Sequence, residues 1–374
     1  MDHRTALLIL NMLPGIGPGR KRQLVDYFGS AKNALVASEQ ALRQVPGIGQ
    51  RLAPILHEWE KHCDPAAEIN LARQAGVTII TEDDDVYPPL LREIHDPPIC
   101  LYVSGHLDVL KHSAGAIAIV GTRHTSYYGI RMADLLAASA AQVGWPVVSG
   151  LARGIDTAAH EATLRAGGQT IAVIGSGLAH LYPKENTGLA IRIAEQNGAV
   201  ISEFPMLYRP DRRSFPMRNR IISGITRGTI VVEAGIQSGS LITAAQAIDQ
   251  NRNVYAVPGL ADTPHARGCH ALIKDGAKLI ENFQDVIDDF NLLPLEQTAA
   301  AETAASDKTR PPASEIHLQG LELKIWRLVQ NGEAYIDDVI AMADEETSSV
   351  LAAILTLELK RLVKQLPGKR IAPL

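Results

Sequence analysis

Ile117-Ala118-Ile119-Val120-Gly121-Thr122-Arg123 is a short apolar run that ends in a glycine, a hydroxyl and an arginine. An apolar run without polar alternation reads as a strand buried on both faces, as a parallel sheet between two helical layers requires. The pattern recurs at Val77–Ile80, Val147–Ser149, Thr170–Ile174, Ala199–Ser202, Thr229–Val232 and Val254–Val257, alternating with Ala-rich helical segments. The expected fold is α/β, a doubly wound, mostly parallel sheet over residues 64–290. Such sheets bind ligands beyond the carboxyl ends of their strands.

Those ends are rich in small residues. After Gly121 come Ser149-Gly150-Leu151-Ala152-Arg153-Gly154-Ile155-Asp156, then Gly175-Ser176-Gly177-Leu178, then Ser238-Gly239-Ser240. Glycines admit a phosphate close to the backbone, and hydroxyls at helix starts add neutral donors. With Arg123 and Arg153 beside them, the loops read as a phosphate-binding rim. The plainer reading is that every α/β crossover needs Gly and Ser at its turn. A dinucleotide fingerprint is missing, because His180 stands where the third glycine belongs, and no Walker A motif occurs.

Pro205 to Arg227 holds six arginines (Arg209, Arg212, Arg213, Arg218, Arg220, Arg227) against one acid, Asp211, in a chain of net charge −5. Phe215 stands among them. Arginines with a stacking ring are the ingredients of single-stranded nucleic-acid binding, and six phosphate contacts would give a salt slope near −4. The alternative is a solvated face with Phe215 in the core. No GxSxG or HExxH motif is present. Asp262, His265, Cys269 and His270 lack the paired spacing of a metal site, and Glu82-Asp83-Asp84-Asp85 reads as a solvated turn, so neither metal nor cofactor is expected.

The chain's 374 residues, 46% hydrophobic and 21% charged, suit two or three globular domains. Its acidic balance excludes a wholly basic polyanion-binding surface. Cys63, Cys100 and Cys269 form no paired framework, and the apolar run Ala6–Leu10 is too short for an export signal or a membrane span. A cytoplasmic protein without membrane partners is expected.

Residues 1–63 read as helical, with two Pro-Gly-Ile-Gly turns at Pro14–Gly17 and Pro46–Gly49. Each resembles a helix-hairpin-helix (SAM-like) element, in which glycine amides face a phosphate; a tight turn between packed helices explains the same residues. Pro54 is expected to interrupt the helix after the second turn. Residues 291–315, rich in Ala, Thr, Pro and Ser, read as a flexible linker. Within 316–374, helices over Leu318–Val329, Ile336–Ala343 and Ser348–Leu362 outline a winged-helix-like domain. Its near-neutral charge favours a packing or protein contact over groove reading.

The ordered series of loops, continued by Ser202-Glu203-Phe204-Pro205, Phe215-Pro216-Met217-Arg218-Asn219-Arg220, Val232-Glu233-Ala234 and Val257-Pro258-Gly259, resembles the DNA-processing protein A (DprA, also called Smf) family. The resemblance covers essentially the whole central domain. It implies a Rossmann-like domain and a non-enzymatic, homodimeric protein of natural transformation. Such proteins bind and protect incoming single-stranded DNA and help load the RecA recombinase for homologous recombination, displacing single-strand-binding protein. DNA contacts are implied at Arg123, Arg153, Lys184, Arg212, Phe215, Arg218 and Arg220. Phosphate-cradling loops are implied at Gly121, Ser149, Gly150, Gly175, Gly177, Ser238, Gly239 and Ser240. Thr187 replaces a frequent family lysine, with Lys184 close by in the sequence, and Arg361 stands where the wing often has glycine. Leu272 and Ile273 are the candidate dimer face. The rival is a nucleoside-monophosphate phosphoribohydrolase on a related fold, but Glu233–Ser240 lacks the glutamate placement of the PGGxGTxxE motif.

Overall fold

The computed structural model describes residues 1–292 and, beyond them, 320–329, 334–343, 345, 350, 353–354, 356–357, 362–366 and 370–373. The chain forms two units, Met1–Leu295 and Glu296–Leu374.

The first unit is built on nine strands: β1 Val77–Thr81, β2 Cys100–Gly105, β3 Ile117–Val120, β4 Val147–Ser149, β5 Thr170–Val173, β6 Ala199–Ser202, β7 Gly228–Val231, β8 Asn253–Ala256 and β9 Lys278–Leu279. Their order is β1-β2-β6-β5-β4-β3-β7-β8-β9. From β6 to β9 all neighbours are parallel, while β2 runs antiparallel to both β6 and β1. The chain winds outward from β3 through β4, β5 and β6, then crosses back to β7 on the other side of β3. The switch point of the sheet therefore lies between β3 and β7, where such folds hold ligands.

Alternate residues of each strand serve the two helical layers. Ile117 and Ile119 pack with Met132, Leu136 and Ala140 of the helix Tyr127–Gln142 and with Ala159 of Ile155–Arg165. Ala118 and Val120 pack on the opposite side with Ile221, Ile222 and Ile225 of Ser214–Ile225 and with Ala244 of Gly239–Asp249. Burial on both faces is why β3 carries no polar alternation. Two strands escaped the sequence reading. Cys100–Gly105 has one β-branched residue, Val103, and Lys278–Leu279 is too short to show a period.

At the front of the unit, Asp2, Ser30, Ser38 and Asp64 each cap a helix by accepting from a backbone N–H. The helices share one core with the edge of the sheet, where Leu7, Leu24, Leu42 and Leu56 cluster with Cys100, Tyr102 and Met206. Arg20 donates to the carbonyls of Gly15 (2.6 Å) and Gly47 (3.0 Å), locking the two Pro-Gly-Ile-Gly turns together. Pro54 does not interrupt its helix, which runs from Gly49 to His57. Burial of Leu52, Ala53 and Leu56 outweighs the hydrogen bond that proline cannot make.

His160 is fully buried under β5. The Thr170 hydroxyl donates to Val147 O (2.7 Å), so the His160 Nδ1–H must donate to Thr170 Oγ1 (2.7 Å), which leaves Nε2 unprotonated and without a partner. Burial, reinforced by the positive charge of Arg218, pushes the imidazole down to about 3. Between about pH 6.5 and 3 the unfolded chain therefore binds a proton that the folded one refuses, and stability falls as pH drops through that window. His160→Asn keeps the donor without titrating. Urea midpoints at pH 7, 6 and 5 should show the wild type losing about 1.4 kcal/mol more per pH unit below 6.5 than the variant; parallel losses would contradict this.

In the second unit, helices Gly320–Val329 and Ile336–Ala343 fall where the periodicity places them. They cover a three-stranded antiparallel sheet of β10 Ala334–Tyr335, β11 Val363–Leu366 and β12 Arg370–Pro373, in the order β10-β12-β11. Ile325, Val329, Val339, Ile354, Val363 and Ile371 form its core. This is a winged-helix arrangement. Most of the third expected helix, Arg361 and the linker from 293 onward lie outside the described residues.

Candidate nucleic-acid interface

At the switch point, beyond the carboxyl ends of β3, β4 and β7, lies a cavity of about 360 Å³. Gly121, Thr122 and Arg123 form one wall, Ser238, Gly239 and Ser240 another, and Phe215 stands at the side above Arg218, Asp156 and Asn219. A smaller cavity of about 160 Å³ shares Arg123, Phe215 and Arg218 with it and continues to Arg153, Tyr182 and Pro183.

Arg218 and Asp156 fix the loop after β4 from both sides. Arg218, only 4% exposed, donates to the carbonyls of Gly150 and Val173, and its Nε to Asn219 Oδ1 at 3.2 Å. Asp156 Oδ2 accepts from the amides of Gly150 (3.1 Å) and Ala152 (3.3 Å). Burial pushes the Arg218 guanidinium down to about 10, with Arg123 adding like-charge repulsion and Asp156 opposing. Burial likewise raises the Asp156 carboxyl, against the pull of Arg218 and of those two amides. Gly154, at φ 81°, brings this loop against the one after β3, since a Cβ there would run into Thr122 O. Asn186 adds the third loop, donating to Leu151 O and Thr157 Oγ1, both at 2.8 Å.

Phe215 is half-buried on Gly175, where any Cβ would press on its ring. The Arg123 Cζ lies 5.5 Å from the Phe215 centroid, and the Tyr182 ring, 42% exposed, lies 5.7 Å from it at 51°. An exposed cation beside two accessible rings can hold a phosphate and stack a base in one place.

The structure separates the candidates. Arg123, Phe215, Arg218, Gly121, Gly150, Ser238, Gly239 and Ser240 line the two cavities. Arg153 lines the smaller one and pairs with exposed Glu185. Arg212, with Arg209 and Arg213, is exposed on the segment leading into the Phe215 helix, and Lys184 is exposed in the turn Lys184–Asn186. Arg220 stands apart, its guanidinium held by buried Glu203. Arg227 precedes β7, at the opposite end of that strand, with its Cζ 5.5 Å from the Phe290 ring centroid. Ser149 is inside the sheet, donating to Ile119 O at 2.7 Å. Gly175 serves the Phe215 ring, and the Gly177 amide is taken by Tyr208 O at 2.8 Å. Leu272 and Ile273 are half-buried, resting against the main core. Cys269 faces Val231 O and His270 bonds the carbonyl of Gly259; among the described residues no metal-binding group forms. Asp156 and Asn219 lie in the quoted motifs, and Tyr182 and Asn186 flank Lys184, with no role assigned to any of them by the sequence; their buried polar bonds and ring contacts show in three dimensions only.

Fold and site together define a Rossmann-like protein with an arginine- and aromatic-flanked pocket at its switch point. The chain belongs to the DNA recombination-mediator protein A (DprA) family, which it matches over residues 78–291, and residues 309–369 match the DprA winged helix domain. Among its relatives, Protein Smf of Synechocystis sp. is 34% identical over 97% of both chains. The crystal structure of DNA processing protein A from Streptococcus pneumoniae superposes with a TM-score of 0.68 and 35% identity, over 77% of this chain and 98% of that one. The Helicobacter pylori protein, whose structure concerns its single-stranded DNA binding mode, gives 0.51 and 28%, over 57% and 95%.

Proposed function

We propose that this chain is a single-stranded DNA-binding protein of natural transformation, acting in the cytoplasm as a homodimer. It would protect incoming DNA and pass it to RecA in exchange for single-strand-binding protein. The observation that carries the DNA reading is the cluster of Arg123, Phe215 and Tyr182 at the mouth of the switch-point cavity. The identity of the Helicobacter pylori relative supports it. It is a binding function without catalysis: Asp156, the acid facing the cavity, is engaged by two backbone amides.

Of the basic side chains on the pocket loops and on the segment leading to Phe215, Arg123, Lys184, Arg209, Arg212 and Arg213 are exposed and make no ion pair among the described residues, whereas Arg218 and Arg220 are committed inside the protein. Five contacts at about −0.7 each give a salt slope near −3.5. Fluorescence anisotropy with oligothymidylate over a salt series should return that slope, with weaker binding to a matched duplex. Arg212→Ala should weaken binding and flatten the slope by about 0.7. Equal affinity for duplex, or a slope near zero, would contradict the proposal.

A further inference from the structure

A second cavity, apart from the pair at the switch point and of about 580 Å³, lies on the other side of the β3–Tyr127 loop. Its walls are Tyr128, Val257, Pro258, Leu260 and Ala266, and Glu233 opens into it. This volume is within the roughly 300–1,000 Å³ of small-ligand pockets. Tyr128 is fixed as one wall by its hydroxyl, which donates to Pro258 O at 2.8 Å, and Leu260, 74% exposed, leaves the mouth open.

Glu233 is only 5% exposed. Its Oε2 accepts from Thr125 Oγ1 and the Ser126 amide, both at 2.9 Å, and is pressed against Gly129, where a Cβ would collide with it. Oε1 takes no hydrogen bond among the described residues and is not sealed off as a buried orphan. Oε1 is thus the free acceptor of a carboxylate that lines this cavity, and a guest that displaces water from it must supply a donor. The complementary guest has a flat or apolar body and an N–H donor.

The loop from Gly121 to Ser126 is the partition between the two cavities. Its Arg123 and His124 line the first, Thr125 and Ser126 hold Glu233 in the second, and the Thr122 amide donates to Glu233 O at 2.7 Å. The loop that presents Arg123 to a strand is therefore also the loop that holds Glu233. We infer that this cavity takes a nucleobase bearing an exocyclic amine, from the same single strand, an inference that rests on the DNA reading above. Cytosine N4–H₂ or adenine N6–H₂ donates to Glu233 Oε1, whereas the one donor of thymine, N3–H, sits between O4 and O2, and those two acceptors repel the carboxylate.

The test compares oligo-dC and oligo-dT of equal length at pH 8, by anisotropy, on the full chain. In Glu233→Gln the amide oxygen stays with the Thr125 and Ser126 donors, so the amide NH₂ faces the cavity and suits thymine O4. The dC-to-dT affinity ratio should fall about tenfold from its wild-type value. Thr263→Trp, at the cavity wall and clear of those hydrogen bonds, should weaken oligo-dC several-fold and leave oligo-dT unchanged, which keeps the test valid if Glu233→Gln does not fold. Variants that bind both oligonucleotides with the wild-type ratio overturn the base pocket and would leave a partner protein's lysine or arginine as the guest that fits. A wild type that binds neither oligonucleotide overturns the DNA reading itself.

Discussion

Arg218→Ala should be the most damaging single change in the central domain, costing about 3–5 kcal/mol of stability and with it most of the affinity for single-stranded DNA. The guanidinium is buried and holds the carbonyls of Gly150 and Val173, while its charge offsets that of buried Asp156. Its removal leaves two carbonyls without their donor and the buried carboxylate with only its two backbone amides. A fall in Tm of roughly 10 °C is expected. Lysine keeps the charge but cannot span both carbonyls and Asn219, so Arg218→Lys should fall between alanine and wild type. The salt slope should change little on either substitution, because the side chain is nearly buried and its donors are taken by internal partners. A folded Arg218→Ala protein with wild-type Tm and a flattened slope would instead show a direct phosphate contact.

Phe215→Ala should cost about 1–3 kcal/mol of binding, a Kd increase of roughly 5- to 150-fold, with the slope again nearly unchanged. The ring is half-buried, so thermal stability should drop far less than in Arg218→Ala. Arg123→Ala is the complementary case: it removes the exposed cation 5.5 Å from the Phe215 centroid and should lower both affinity and slope. If Phe215→Ala bound oligothymidylate like the wild type, the ring would be part of the core and not a stacking platform.

These two residues mark where the sequence can be read and where it cannot. Strands buried on both faces announce themselves as apolar runs, and the loops at their ends by Gly and Ser, so the sheet and its switch point follow from β3 outward. Counting charge over Pro205–Arg227 cannot separate arginines that face solvent from those that hold the fold. Helical spacing goes further, because Ser214, Arg218, Ile221, Ile222 and Ile225 share one buried face of their helix. An arginine on that stripe is a guanidinium with internal partners. Nothing of the kind marks Arg220, whose partner Glu203 is brought to it by the β6–helix connection. Pro54 misleads for the opposite reason, since a local rule about proline yields to the packing of its neighbours. Asp156 and Glu233 are ordinary loop acids in one dimension; only the fold shows one bracing a backbone turn and the other opening into a cavity.

On this reading a single strand lies at the switch point against Phe215. Photo-crosslinking an oligothymidylate carrying 5-iodouracil, followed by peptide mapping, tests it most directly. Crosslinks at Phe215 or Tyr182, lost on competition with unlabelled oligothymidylate, are the expected result. Crosslinks confined to the front helices or to residues 320–373, with none between 175 and 220, would contradict it.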